Sequence, residues 1–94
     1  MRFDSRVPEE QEPLLAALES LLIVTSEPVP IDAFSRVLGL GGKEILEGLR
    51  LLQLHYEADH GFRLVRIGGG WQLASSPEHA EKVTKFRENV QDQP

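Results

Sequence analysis

Three stretches of apolar residues at helical spacing, a glycine-split pair of β-rich segments and one further helical stretch predict a mainly α fold with a small β-hairpin. That order of elements is the order of a winged helix-turn-helix: three helices, a two-stranded wing and a C-terminal helix. At 94 residues the chain suits one domain and is short for two. The winged helix is expected over residues 13–87, between a flexible N-terminal tail at 1–12 and a C-terminal tail at 88–94.

Residues 1–12 carry Pro8 and the cluster Glu9, Glu10 and Glu12, and only Phe3 and Val7 are large and apolar. They read as a solvated approach to the first helix, with docking of Phe3 on a partner as the sharper alternative. From Leu14 the pattern turns helical, because Leu14, Leu18, Leu21, Leu22 and Thr25 fall on one face of a 3.6-residue period. Pro13 suits the first turn, where its missing N–H is not needed, and the glutamates before it complement the positive end of the helix dipole. Leu15, Ile23 and Val24 widen the apolar stripe toward a second side. Such a helix is either packed by neighbours on two sides, or has one face in the core and another in an interface.

Pro28 and Pro30 then force an extended turn, since each fixes φ and restricts the residue before it. Ile31, Phe34, Val37 and Leu38 mark a short second helix, which Gly39 ends with a left-handed stop. After Gly41 and Gly42, a third helix is expected from about Lys43 to Ala58, with Ile45, Leu49, Leu52 and Tyr56 on its core face and Leu46 and Leu54 widening the apolar set. Asp59-His60-Gly61 reads as a turn, 62–67 as a strand, Gly68-Gly69-Gly70 as a hairpin loop and 71–74 as the return strand. Ser75 and Glu78 have capping-box spacing around Pro77 and open a last helix with Ala80, Val83 and Phe86 on one side. Glu78–Lys82 and Glu81–Lys85 are i, i+4 pairs in the favourable order.

Composition narrows the chemistry. Ten Lys and Arg against fifteen Asp and Glu leave a formal charge of −5, which counts against a strong electrostatic hold on nucleic acid. With no cysteine there is no disulfide framework, thiolate nucleophile or Cys-ligated metal. No stretch approaches the ~20 apolar residues of a membrane span. The start, Met1-Arg2-Phe3-Asp4-Ser5-Arg6, lacks the apolar core of a signal peptide, so a cytoplasmic location is the default expectation. His55, His60 and His79 fall in no metal-binding pattern, and Ser75 and Ser76 fit a helix start better than a nucleophile. Gly39, Gly41 and Gly42 lack a following phosphate-loop lysine, and the 68–70 glycines lie between strands, where a dinucleotide fingerprint does not sit. The expectation is a non-enzyme with no catalytic residues, no metal and no cofactor.

Helix-turn-helix units often place their second helix in the major groove of DNA. Here the segment from Lys43 to His60 carries Lys43 and Arg50 against Glu44, Glu47, Glu57 and Asp59, a net of −2, and a heavy load of leucine. Phosphates repel such a segment, and its surplus leucines leave apolar surface for another contact. Arg63 and Arg66 on the wing are candidate weak nucleic-acid contacts in the alternative reading of a DNA-binding transcriptional regulator. The plainer reading of both is solvent-facing strand positions. Lys82, Lys85 and Arg87 are matched by Glu78, Glu81 and Glu88, a mixed solvated face. Trp71 is read as a core or hairpin-stabilising residue, with an exposed interface anchor as the alternative.

The run from Leu14 to Pro28 resembles the opening of the bacterial segregation and condensation protein B family, an "EALLFVSGEP"-type run followed by a short helix. Gly61-Phe62-Arg63-Leu64-Val65 and Gly69-Gly70-Trp71-Gln72-Leu73 are similar to that family's wing, and Ser76-Pro77-Glu78-His79-Ala80 to the start of its next helix. Pro30 and Gly41-Gly42 depart from the family pattern before the second and third helices. The resemblance implies a non-enzymatic subunit that acts with the SMC ATPase and the kleisin, segregation and condensation protein A. It implies a homodimer formed through this winged helix, a kleisin contact, and a cytoplasmic, nucleoid-associated role in chromosome condensation and segregation during the cell cycle. Family members carry two winged helices in tandem, and the second is absent from these residues. Direct DNA binding and membrane contact are not expected. The candidate dimer or partner interface is Leu15, Ile23, Val24, Leu46 and Leu54.

Overall fold

The computed structural model describes residues 3 and 5–91, the side chain of Gln91 excepted. A 3₁₀ turn at Glu9–Gln11 leads into α1 (Glu12–Ile23), with Pro13 in its first turn as expected. The helix stops short of Thr25, whose backbone N–H and hydroxyl both donate to the Leu22 carbonyl, at 3.3 and 3.2 Å. A short strand β1 (Val29–Pro30) precedes α2 (Ile31–Leu38), and Gly39 closes α2 at φ 68° with its N–H on the Ser35 carbonyl. That left-handed geometry is open to glycine without a Cβ penalty. Helix α3 (Gly42–His55) enters from an extended Gly41 and ends three residues before the expected Ala58.

The wing is β2 (Phe62–Ile67) and β3 (Gly70–Ser75), turned at Gly68-Gly69 with Gly68 at φ 58°. Its sheet has three strands, not the two expected: β3 is central, with β2 antiparallel on one side and β1 on the other, Val29 opposite Trp71 and Pro30 opposite Gly70. Two residues are too short to show an alternating pattern, and Pro30 is tolerated because it lies on an edge strand. The close approach of β1 also explains Gly70, where a Cβ would lie 2.8 Å from the Pro28 carbonyl carbon. The Gln72 side-chain amide donates to the Ser26 carbonyl at 2.8 Å, tying the same corner.

Ser75 belongs to β3 and caps nothing. The fully buried Ser76 precedes a 3₁₀ turn (Pro77–His79), its N–H on the Gly61 carbonyl at 2.9 Å and its hydroxyl on the His60 carbonyl at 3.2 Å. It closes the base of the wing. Helix α4 (Ala80–Gln91) follows and carries residues 88–91 of the expected C-terminal tail; the rest of that tail lies outside the described residues.

The core gathers Leu15, Leu18 and Leu22 from α1, Phe34 from α2, Ile45, Leu49 and Leu52 from α3, Tyr56 just beyond it, and Leu64 and Trp71 from the sheet. Trp71 is therefore a core residue, as its plainer reading expects, at 4% exposure. The N-terminal approach differs from expectation. Phe3 and Val7 are buried against the same core, and the Arg6 guanidinium donates to the Leu54 carbonyl at 3.2 Å. Phe3 thus packs on its own domain, which corrects both the solvated and the partner-docking readings of that side chain.

Gly70→Ala should cost about 1–3 kcal/mol, the range of overpacking, because the neighbour it meets is backbone. Gly69→Ala, with nothing within 4 Å of the added carbon, should change stability by less than about 0.5 kcal/mol. Urea unfolding midpoints of the two variants check this, and equal losses would contradict the β1–β3 contact.

Candidate partner surfaces

The rotation of α1 about its axis decides which of its apolar residues meet the core. Leu15, Leu18 and Leu22 point inward and are 0–1% exposed, while Leu14 and Leu21 pack at the core margin. Leu15 is thereby removed from the candidate interface: it has no surface to offer. Ile23 and Val24 lie on the other side, 71% and 78% exposed. On α2, Val37 is likewise exposed although its spacing puts it with Phe34.

Ile23 and Val24 open onto different hollows. Ile23 lines one of about 380 Å³ with Ala16, Glu19, Tyr56, Phe62 and Leu73, where α1 meets the wing. Two of its lining residues are joined, the Tyr56 hydroxyl donating to the Glu19 carboxylate in a short hydrogen bond. Burial first, and then the hydrogen bond and the charge of Glu19, push the Tyr56 phenol well above its ordinary range. The Tyr56 ring also lies 4.7 Å from Phe62 and 5.4 Å from His60, and His60 lies 4.8 Å from His55, so His55 and His60 belong to an aromatic cluster. Among the described residues no group of three or more His, Cys, Asp or Glu could hold a metal. Val24 lines a smaller apolar hollow of about 190 Å³ with Leu21, Val29, Ala33, Phe34 and Val37.

Leu46 and Leu54 are half-buried on α3, Leu46 packing against the margin of the core, and both line a groove of about 480 Å³ with Lys43, Glu47, Arg50 and Leu51. The candidate interface residues thus fall on three patches rather than one. The charge reading of this helix changes too. Because α3 ends at His55, Glu57 and Asp59 lie beyond it, and Lys43 and Arg50 balance Glu44 and Glu47 within it. Helix α3 as a whole is neutral, and its leucine-lined groove sets Lys43 and Arg50 against Glu47, a single excess positive charge that falls short of the clustered cationic face phosphates need.

On the wing, Arg63 is half-buried beside Glu78, 3.8 Å away, with its Nε buried and without a hydrogen-bond partner among the described residues. Arg66 stands over the Trp71 ring at 5.8 Å. Both guanidiniums already have neighbours on the domain. Of the expected pairs on α4, Glu81–Lys85 forms at 3.4 Å, whereas Glu78 faces Arg63. Sequence reasoning missed the exposure of α4: Phe86 and Val90 are 68% and 52% exposed. The i, i+3, i+7 spacing of Val83, Phe86 and Val90 was the available signal.

Residues 16–94 match the family model of the segregation and condensation complex subunit ScpB. The chain belongs to the ScpB family. It is 32% identical over 72 residues to segregation and condensation protein B of Desulforamulus reducens, covering 76% of this chain and 40% of that relative. The chain therefore spans well under half the length of that curated relative. Among solved structures, it is similar to the crystal structure of a dimer of the ScpB N-terminal domain complexed with ScpA peptide. There the TM-score is 0.77 and the identity 28%, with coverage of 82% of this chain and 98% of that one. The ScpB crystal structure from Mycobacterium tuberculosis superposes with a TM-score of 0.82 at 22% identity, covering 94% of this chain and 56% of that one, a likeness of fold. The winged helix-turn-helix expected from the sequence is thus the fold of the ScpB N-terminal domain. No helix among the described residues is long and apolar enough to cross a membrane.

Two outcomes follow from this geometry. Leu15→Asp should unfold the domain, because it buries a charge in place of a core leucine, whereas Ile23→Asp should keep its helix content. Circular dichroism distinguishes them, and an unfolded Ile23→Asp would contradict the assigned rotation of α1. Tyr56 has a folded-state pKa above its unfolded value of about 10, so its contribution is complete below pH ~10 and is lost as the pH rises above that. Wild-type stability should fall above pH ~10 more steeply than that of Tyr56→Phe, and parallel alkaline profiles would contradict the Tyr56–Glu19 contact.

Proposed function

We propose that the chain is a non-enzymatic subunit of a bacterial SMC–kleisin complex, which dimerises and helps bind the kleisin, segregation and condensation protein A, in chromosome condensation and segregation. The observation that carries this reading is the likeness to the dimeric ScpB N-terminal domain with its ScpA peptide, which extends over 98% of that domain. The arrangement of apolar side chains supports it. Ile23, Val24, Val37, Phe62 and Phe86 are all exposed on a small domain whose core is otherwise closed. Apolar surface of that kind marks contact with another protein. The setting proposed is cytoplasmic and nucleoid-associated, with kleisin as the link to SMC.

A DNA-binding regulator finds less support. The α3 groove carries a single excess positive charge among its leucines, and Arg63 is engaged by Glu78. Duplex binding at ~50 mM salt, where phosphate contacts are strongest, is expected to be absent.

The test is binding of the purified chain to the kleisin, by calorimetry, alongside light scattering. A dimer that binds the kleisin supports the reading. A monomer up to ~1 mM, the millimolar limit of specific affinity, removes the dimer, and a dimer that ignores the kleisin moves the domain to another complex.

A further inference from the structure

Helix α4 is amphipathic and nearly alone. Among the described elements its principal contacts are with the 3₁₀ turn that leads into it. A helix of 12 residues is marginal in water without tertiary packing, so α4 calls for a cover. Its stripe of Val83, Phe86 and Val90 is flanked at 100° per residue by Lys82 on one side and Arg87 on the other. Glu81, Lys85 and Glu88 occupy the far side, where Glu81 and Lys85 pair at 3.4 Å. Lys82 and Arg87 make no ion pair among the described residues. The stripe therefore suits an apolar surface with a carboxylate at its edge.

The chain itself holds such a surface. The hollow at the junction of α1 and the wing offers Ile23, Phe62 and Leu73, with Glu19 among its lining residues. Ile23 and Phe62 are exposed just as Phe86 and Val90 are. One three-residue stripe is small against the ~1,600 Å² of a stable interface, but a two-fold arrangement uses stripe and hollow twice.

We propose that two copies of the chain exchange α4, the Val83–Phe86–Val90 stripe of each seated in the Ile23–Phe62–Leu73 hollow of the other, with Lys82 or Arg87 facing Glu19. The exchange rests on the homodimer proposed above and names the surfaces that form it.

Because the chain has no cysteine, introduced cysteines report neighbours cleanly, and Ile23 and Phe86 are both exposed enough to replace without touching the core. Mixing Ile23→Cys with Phe86→Cys under mild oxidation should give a disulfide-linked dimer that neither variant forms alone. Ser20, which also lines the hollow, gives a second pair as Ser20→Cys mixed with Val90→Cys. A linked dimer of Phe86→Cys alone would overturn the exchange in favour of α4 packing on α4. A link within one chain in the Ile23→Cys, Phe86→Cys double variant, at monomer mass, would show α4 folding onto its own hollow. A dimer by light scattering with no link in either mixture overturns the exchange but keeps the dimer, whereas a monomer up to ~1 mM overturns both.

Discussion

The crossing of α1 over α3 at Gly48 organises the domain. A Cβ at Gly48 would lie 2.9 Å from Leu18 Cδ1 and 3.1 Å from Leu14 Cδ2, so the ends of two α1 leucines pack directly on the bare backbone of α3 at that point. That approach buries Leu15, Leu18 and Leu22 among Ile45, Leu49 and Leu52. It also fixes the rotation of α1, and with it the exposure of Ile23 and Val24. The wing completes the core from the other side through Leu64 and Trp71, held to α3 by the Gln53 side chain, which donates to the Leu64 carbonyl at 3.1 Å. The core and the surfaces available to partners are thus set by one contact.

The core face of α3 was legible in the sequence even beside its surplus leucines. Ile45, Leu49, Leu52 and Tyr56 of the α3 region are all buried as their spacing requires. The first helix was harder because it is apolar on more than one side, and periodicity alone does not say which side turns inward. Leu15 is therefore a candidate for an interface by spacing alone, and it proves to be core. The α1–α3 approach at Gly48 went unread, since a glycine inside a helical pattern gives no sign of what packs against it. Phe3 and Val7 are separated by polar residues and carry no period, yet both reach the core. The site was less legible than the fold, because exposure is a property of neighbours: Val83 and Phe86 read as one side of a helix, but nothing local says that the domain leaves that side uncovered.

These features separate what the domain needs to fold from what it presents. The folding residues form one cluster. The presented residues form the hollow by the wing, the smaller hollow beside α2, the α3 groove and the α4 stripe. A winged helix that reads DNA commits its second helix-turn-helix element to a cationic face. Here that element is lined with leucine and balanced in charge, a surface suited to protein.

The crossing at Gly48 is tested most directly by the stability of Gly48→Val in urea. If Leu14 and Leu18 pack on Gly48 as described, the branched side chain must push both leucines aside and the variant should lose about 1–3 kcal/mol. A midpoint unchanged or raised, as the better helix propensity of valine over glycine alone would give, would contradict the close crossing and the outward placement of Ile23 and Val24 that depends on it.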